Sequence, residues 1–145
     1  SNAITLTEDV QIITRFGGDP EQILDAFDFA HTKNYWDSAD LQLHLDPEAV
    51  ESLLMKRLVY RGTKYPVSAI IRTRKFIKRG FFISGGEYLK MIFDTNQLNL
   101  SDPQVLKEQL TGVDALYFGE LIRILEYGNE EITSSYIAEL VDRLF

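Results

Sequence analysis

The hydrophobic period of this chain changes at Asp46-Pro47, and that change limits the folds open to it. Ahead of the change, Phe27, Phe29 and His31 alternate with Asp28, Ala30 and Thr32. Leu41, Leu43 and Leu45 alternate in the same way with Gln42 and His44. A period of two is that of a strand with one buried face. Beyond Pro47 the apolar residues recur every three or four positions, as in Val50, Leu53, Leu54 and Leu58, which is the period of a helix. The pattern predicts an α+β chain: a small sheet of about three strands over residues 4–45, then about six helices over 46–145. A length of 145 residues with 45% hydrophobic content suits one domain with one core.

Start and stop signals place the elements. Val10 to Phe16 is a β-branched run expected to be a buried strand, broken by Gly17-Gly18. Asp19-Pro20-Glu21-Gln22 carries an N-cap, a first-turn proline and a capping-box glutamine for a short helix ending near Phe27. Asp46-Pro47, Ser84-Gly85-Gly86-Glu87 and Ser101-Asp102-Pro103-Gln104 start further helices. Tyr88, Leu89, Ile92 and Phe93 mark the apolar stripe of the second of these, and Leu106 and Leu110 that of the third. Two more helices are expected over Ala115 to Tyr127 and Ser134 to Phe145.

Charge is divided sharply along the chain. Between Met55 and Lys90 there are ten lysines and arginines and one acidic residue, Glu87, a local balance of +9. The whole chain carries −7, so the remainder carries −16. Such polarity builds one face for anions and others that repel them. At the centre of the basic stretch, Pro66 suits the first position of a helix and Gly80 the residue past its end. Ala69, Ile70, Thr73, Phe76 and Ile77 share one arc of that helix, with Arg72, Lys75 and Arg79 opposite. The outer three, with Lys78, are candidates to bind phosphate or nucleic acid, because guanidinium groups grip phosphate oxygens bidentately. Arg74 borders the apolar arc and is expected to be partly buried against a carboxylate of the fold. The acidic residues of 101–145, which outnumber the basic ones, suit contact with a protein partner.

Composition excludes several chemistries. There is no cysteine, so disulfides and thiolate metal sites are impossible. His31 and His44 are too few for a histidine metal centre, and His31 is expected to be a satisfied core residue. No apolar run is long enough for a membrane span and no signal peptide is visible, so no membrane contact and a cytoplasmic location are expected. Ser1-Asn2-Ala3 resembles the scar of a removed tag, and Ile4 follows with no initiator methionine, which suggests a piece excised from a longer protein. Tyr35 and Trp36 are candidates for stacking a base. Asp28, mid-strand between two phenylalanines, is a candidate metal-facing carboxylate, or else a surface aspartate on the open face of the sheet.

Phe27-Asp28-Phe29, Tyr35, Tyr65-Pro66 and the R-x-x-K-F-x-x-R-G arrangement of Arg72, Lys75, Phe76, Arg79 and Gly80 together resemble nucleotidyltransferase-like proteins. The likeness is to the second half of polymerase-beta superfamily members carried by bacteriophages and large viruses. It runs from about Val10 to Phe82. It implies Asp28 as the third metal carboxylate, and Arg72, Lys75, Lys78 and Arg79 facing a nucleoside triphosphate or nucleic acid. It also implies Mg²⁺ in the parent protein and a bacterial or phage-infected host. The Gly-Ser signal and D-x-D pair of that family do not precede Val10, so the chain alone is expected to be inactive. The alternative is a non-catalytic nucleic-acid-binding or protein-interaction module of a phage protein, motivated by the +9 stretch.

Overall fold

Two short strands, β5 (Arg57–Leu58) and β6 (Phe82–Ile83), run parallel, with helix α3 (Pro66–Lys78) between them. Parallel neighbours need a crossover, and α3 supplies it. The computed structural model describes residues 3–8, 10–14, 16–110 and 133–144, and its class is α+β as the period change predicts. The remaining elements are β1 (Ala3–Thr5), β2 (Gln11–Ile13), α1 (Pro20–Asp25), β3 (Tyr35–Asp37), β4 (Gln42–His44) and α2 (Pro47–Leu54). After β6 come α4 (Gly85–Asn96), α5 (Pro103–Leu110) and α6 (Ser134–Leu144). There are thus six α-helices among the described residues. The helix expected over Ala115 to Tyr127 lies outside the described residues.

The single three-stranded sheet does not form. Strands pair two by two: β1 with β2 and β3 with β4, both antiparallel, and β5 with β6. Ala3, set aside above as part of a scar, pairs with Ile13, since ladder bonds use backbone and accept any residue. Val10, Ile12, Ile13 and Phe16 are exposed rather than buried, and Ile12 and Ile13 lie on a two-stranded ribbon. The stretch from Phe27 to Thr32 also differs from the strand expected of it. Only Phe29 makes a bridge, to Tyr60, and Ala30–Thr32 then coils into a 3₁₀ turn. The cause is local, because both the amide and the hydroxyl of Thr32 donate back to the Phe29 carbonyl, at 3.2 and 2.7 Å. Such side-chain bonds compete with strand pairing.

The core is assembled from both halves of the chain. Phe29, Leu58, Tyr60, Ala69, Phe81 and Met91 are buried together, with Ile70, Phe76 and Ile83 against them. The Phe29 ring meets those of Tyr60 and Phe76 edge-on at 6.2 and 5.5 Å. Fully burying such a ring contributes about 1.5–3 kcal/mol. The expected helical stripes fare differently. In α2 the buried residues are Ala49 and Ser52, while Leu53 and Leu54 are exposed. Small residues let α2 approach the Ala30–Thr32 turn closely, and the Ser52 hydroxyl donates to the Arg57 carbonyl. In α4 only Met91 is buried, and Leu89, Ile92 and Phe93 face outward. Its inner face is instead polar: Glu87 accepts from the Tyr60 amide at 2.6 Å and Asp94 from the Tyr60 hydroxyl at 2.8 Å.

Candidate functional site

Helix α3 is fixed at both ends before it presents anything. Pro66 occupies the first turn, as its missing amide hydrogen suits. Tyr65, the N-cap, gives no side-chain capping hydrogen bond; Gln109 of α5 acts in that place. The Gln109 Oε1 accepts from the Val67 amide at 3.5 Å and its Nε2 donates to the Lys64 carbonyl at 3.0 Å. The Ser68 hydroxyl donates to the Gln109 carbonyl, so α5 and α3 are tied by one buried residue. At the other end Gly80 has φ +85°, its amide donates to Ile77 and that of Phe81 to Phe76. This is a Schellman close, completed by the Phe76–Phe81 ring contact at 5.9 Å.

The inner face of α3 runs through Ser68, Ala69, Thr73 and Phe76. Arg72 lies within it, with Ser68 and Ala69 one turn before and Phe76 one turn after. Its Nε and Nη2 both reach Asp28 Oδ2, at 2.7 and 2.6 Å. The Arg72 side chain is 30% exposed and that of Asp28 only 11%. Asp28 is therefore neither on an open sheet face nor clustered with other carboxylates. No group of three or more metal-capable side chains occurs among the described residues. The expectation that Arg74 would be the part-buried arginine is corrected by the same geometry. Arg74 is 47% exposed and, among the described residues, pairs with Asp142, itself 81% exposed, at 3.5 Å. Ser68 counts as polar in the sequence pattern yet is fully buried, which turns the inward arc toward Arg72.

The other cations behave as a group. Lys75, Lys78 and Arg79 are exposed and make no ion pair with any described residue. With Arg74 and Ile71 they line an open cleft of about 340 Å³ along the last turns of α3. Its floor is Ile71 and the aliphatic stems of the cations, and its rim is four positive charges.

Tyr35 and Trp36 do not make a joint platform. As neighbours on β3 they point to opposite faces. The Tyr35 ring stacks on His44 at 4.5 Å, and Trp36 stands exposed opposite Leu43. His31 is in the core, packed against the rings of Phe29, Phe76 and Phe81. It is not satisfied there, since neither ring nitrogen makes a hydrogen bond. Burial lowers its pKa below 6.5, nearby Asp28 opposing the effect and Lys56 adding to it. Ser84 caps α4 as its signal predicts, but Glu87 turns to Tyr60 and Lys90 instead of closing the box.

Residues 1–56 match a family model described as Gabija anti-defense 2 family protein. Over 131 residues the chain is also 21% identical to "Gabija anti-defense 2" of Bacillus phage SPbetaL7. That match takes in 90% of this chain and 32% of the relative, so the chain spans about a third of the phage protein's length. A match of 131 residues includes α3 wherever it begins. No solved structure matches the chain. These matches overturn the nucleotidyltransferase resemblance and the reading of the chain as the second half of such an enzyme. The motifs that suggested it are explained by the fold. Phe29 and Phe76 are core residues, Asp28 and Arg72 pair with each other, and Gly80 closes a helix. The role of Asp28 as a third metal carboxylate, the triphosphate and the Mg²⁺ of a parent enzyme were implied by that resemblance and lose that premise. Among the described residues no helix is long and apolar enough to cross a membrane.

Proposed function

We propose that this chain is an interaction module of a phage anti-defence protein directed against the Gabija defence. One observation carries the reading: similarity to the phage protein of that name extends over 90% of the chain. The family match over residues 1–56 supports it independently of the basic helix, because it ends before Arg57. The structure adds a surface suited to binding: a preorganised helix end with a cationic cleft, held by Gln109 at one end and Gly80 at the other. In this reading the chain engages a component of the defence. The helix backbone is held at both ends, so little backbone ordering opposes that engagement.

The test is genetic. A phage restricted by Gabija is plated on defended cells that express this chain, or a longer protein containing it, and on undefended cells. Restored plaque formation on the defended cells alone is the expected result. Unchanged restriction with both proteins, each shown to accumulate, would overturn the anti-defence reading.

A further inference from the structure

The cleft at the C-terminal end of α3 has a charge pattern that the other described residues do not explain. We infer that it is a docking surface for an acidic segment of a partner protein, with carboxylates on Arg74, Lys75, Lys78 and Arg79 and an apolar side chain on Ile71. This deepens the anti-defence reading and rests on it for the identity of the partner's host system, but its chemistry is argued from the cleft alone.

The helix dipole accounts for some cations in a last turn, at about 0.3–1 kcal/mol each. It does not account for four side by side in a chain with an excess of acidic residues available to pair with them. Elsewhere Lys64 pairs with Glu108, Arg57 with Glu51, Arg61 with Glu48 and Lys90 with Glu87. Lys75, Lys78 and Arg79 are left without a described carboxylate, and together they repel one another. A ligand that brings negative charge relieves that repulsion. Among the described residues the anion at the edge is a carboxylate, Asp142 on Arg74, which shows a group that fits there.

Three features favour a protein over a nucleic acid. From Arg74 to Arg79 the cluster advances only about 7–8 Å along the helix axis, at 1.5 Å per residue. That is too short for the run of phosphate contacts from which nucleic-acid affinity is built. The −16 balance outside the Met55–Lys90 stretch repels a polyanion that continues beyond the cleft. Ile71 in the floor supplies apolar area inside a charged rim. Protein interfaces have that anatomy, with arginine enriched, whereas nucleic-acid interfaces are more uniformly cationic.

The probe is a short fluorescent peptide of alternating glutamate and leucine, titrated by anisotropy against the whole chain, beside a single-stranded oligonucleotide of equal charge. We expect the peptide to bind more tightly than the oligonucleotide. Lys75→Ala with Arg79→Ala should weaken it about tenfold or more, which is 1.4 kcal/mol or more. Lys33→Ala with Lys90→Ala removes the same charge elsewhere and should change binding by less than about twofold. Thermal melts check folding, and Lys75→Gln with Arg79→Gln replaces the alanine pair if it melts early. Tighter binding of the oligonucleotide, equal loss in the two double variants, or no peptide binding overturns the inference. So does salt-sensitive self-association lost in the Lys75/Arg79 variant, which would make a second copy the occupant. The titration scores the cleft and the plating assay scores the anti-defence reading, so either can fail without the other.

Discussion

Asp28 and Arg72 form the ion pair on which the region around the core depends. Both Arg72 nitrogens converge on one carboxylate oxygen, and the Asp28 backbone carbonyl accepts from the Arg61 amide, so the aspartate is held from two sides. Removing one partner leaves the other half-buried and uncompensated, a loss of about 3 kcal/mol. Arg74→Ala removes a long, exposed contact and should cost less than about 0.5 kcal/mol. Urea denaturation of the two variants checks the order, the reverse of that expected from helical projection. His31 supports a second prediction. Its folded-state pKa lies below 6.5 because burial disfavours the imidazolium, so its contribution to stability is full above pH 6.5 and is lost as pH falls through the lowered value. Of the neighbouring charges, Asp28 favours the imidazolium and Lys56 opposes it, the latter lying over the Phe81 ring at 4.8 Å. The denaturation midpoint should therefore fall below pH 6.5 more steeply for the native chain than for His31→Leu, and equal slopes would refute the assignment.

Among the elements, α3 is the one whose ends matter most, because its closing turn aims the cationic cleft. Gly80 at φ +85° has open space where a Cβ would stand, so Gly80→Ala meets no clash and suffers only the backbone penalty of a left-handed residue. That penalty is about 1–2 kcal/mol, visible as a lower thermal midpoint with an unchanged fold by circular dichroism. A loss of less than about 0.3 kcal/mol would show that the Schellman close contributes little. The contrasting element is α4, whose Leu89, Ile92 and Phe93 obey helical spacing yet lie outside the core. Tyr60 explains it. Its amide and hydroxyl need Glu87 and Asp94, one turn on either side of Met91, and that polar demand rotates the helix. Burial and the Asp94 carboxylate together push the Tyr60 hydroxyl pKa far up, so it stays a donor at any working pH.

At the scale of the whole molecule, charge division and fold coincide. The +9 stretch is the β5-α3-β6 crossover together with the start of α4, and the core lies beneath it. Three of its ion pairs among the described residues reach neighbouring helices, with Glu48, Glu51 and Glu108 supplied by α2 and α5. What these helices neutralise is the start of the stretch, at Arg57, Arg61 and Lys64. The end of α3 is left charged, and the anti-defence proposal uses that end.

Helix starts and stops were readable from the sequence because they depend on residues three or four positions apart. Asp19 with Gln22, Asp46 at the start of α2, Ser84 at the start of α4 and Gly80 past Lys78 are realised where the sequence placed them, although Glu87 does not close its capping box. The α+β class and the position of the cationic helix were legible for the same reason. Tertiary structure alone decided which face of each helix turned inward. Arg72 finds Asp28 across 44 positions, Gln109 caps α3 from 42 positions away, and Asp94 meets Tyr60 across 34. Periodicity ranks residues by hydrophobicity. A buried serine, a capping glutamine and a tyrosine with two polar demands are fixed by hydrogen bonds to distant partners, and that information is absent from any local window.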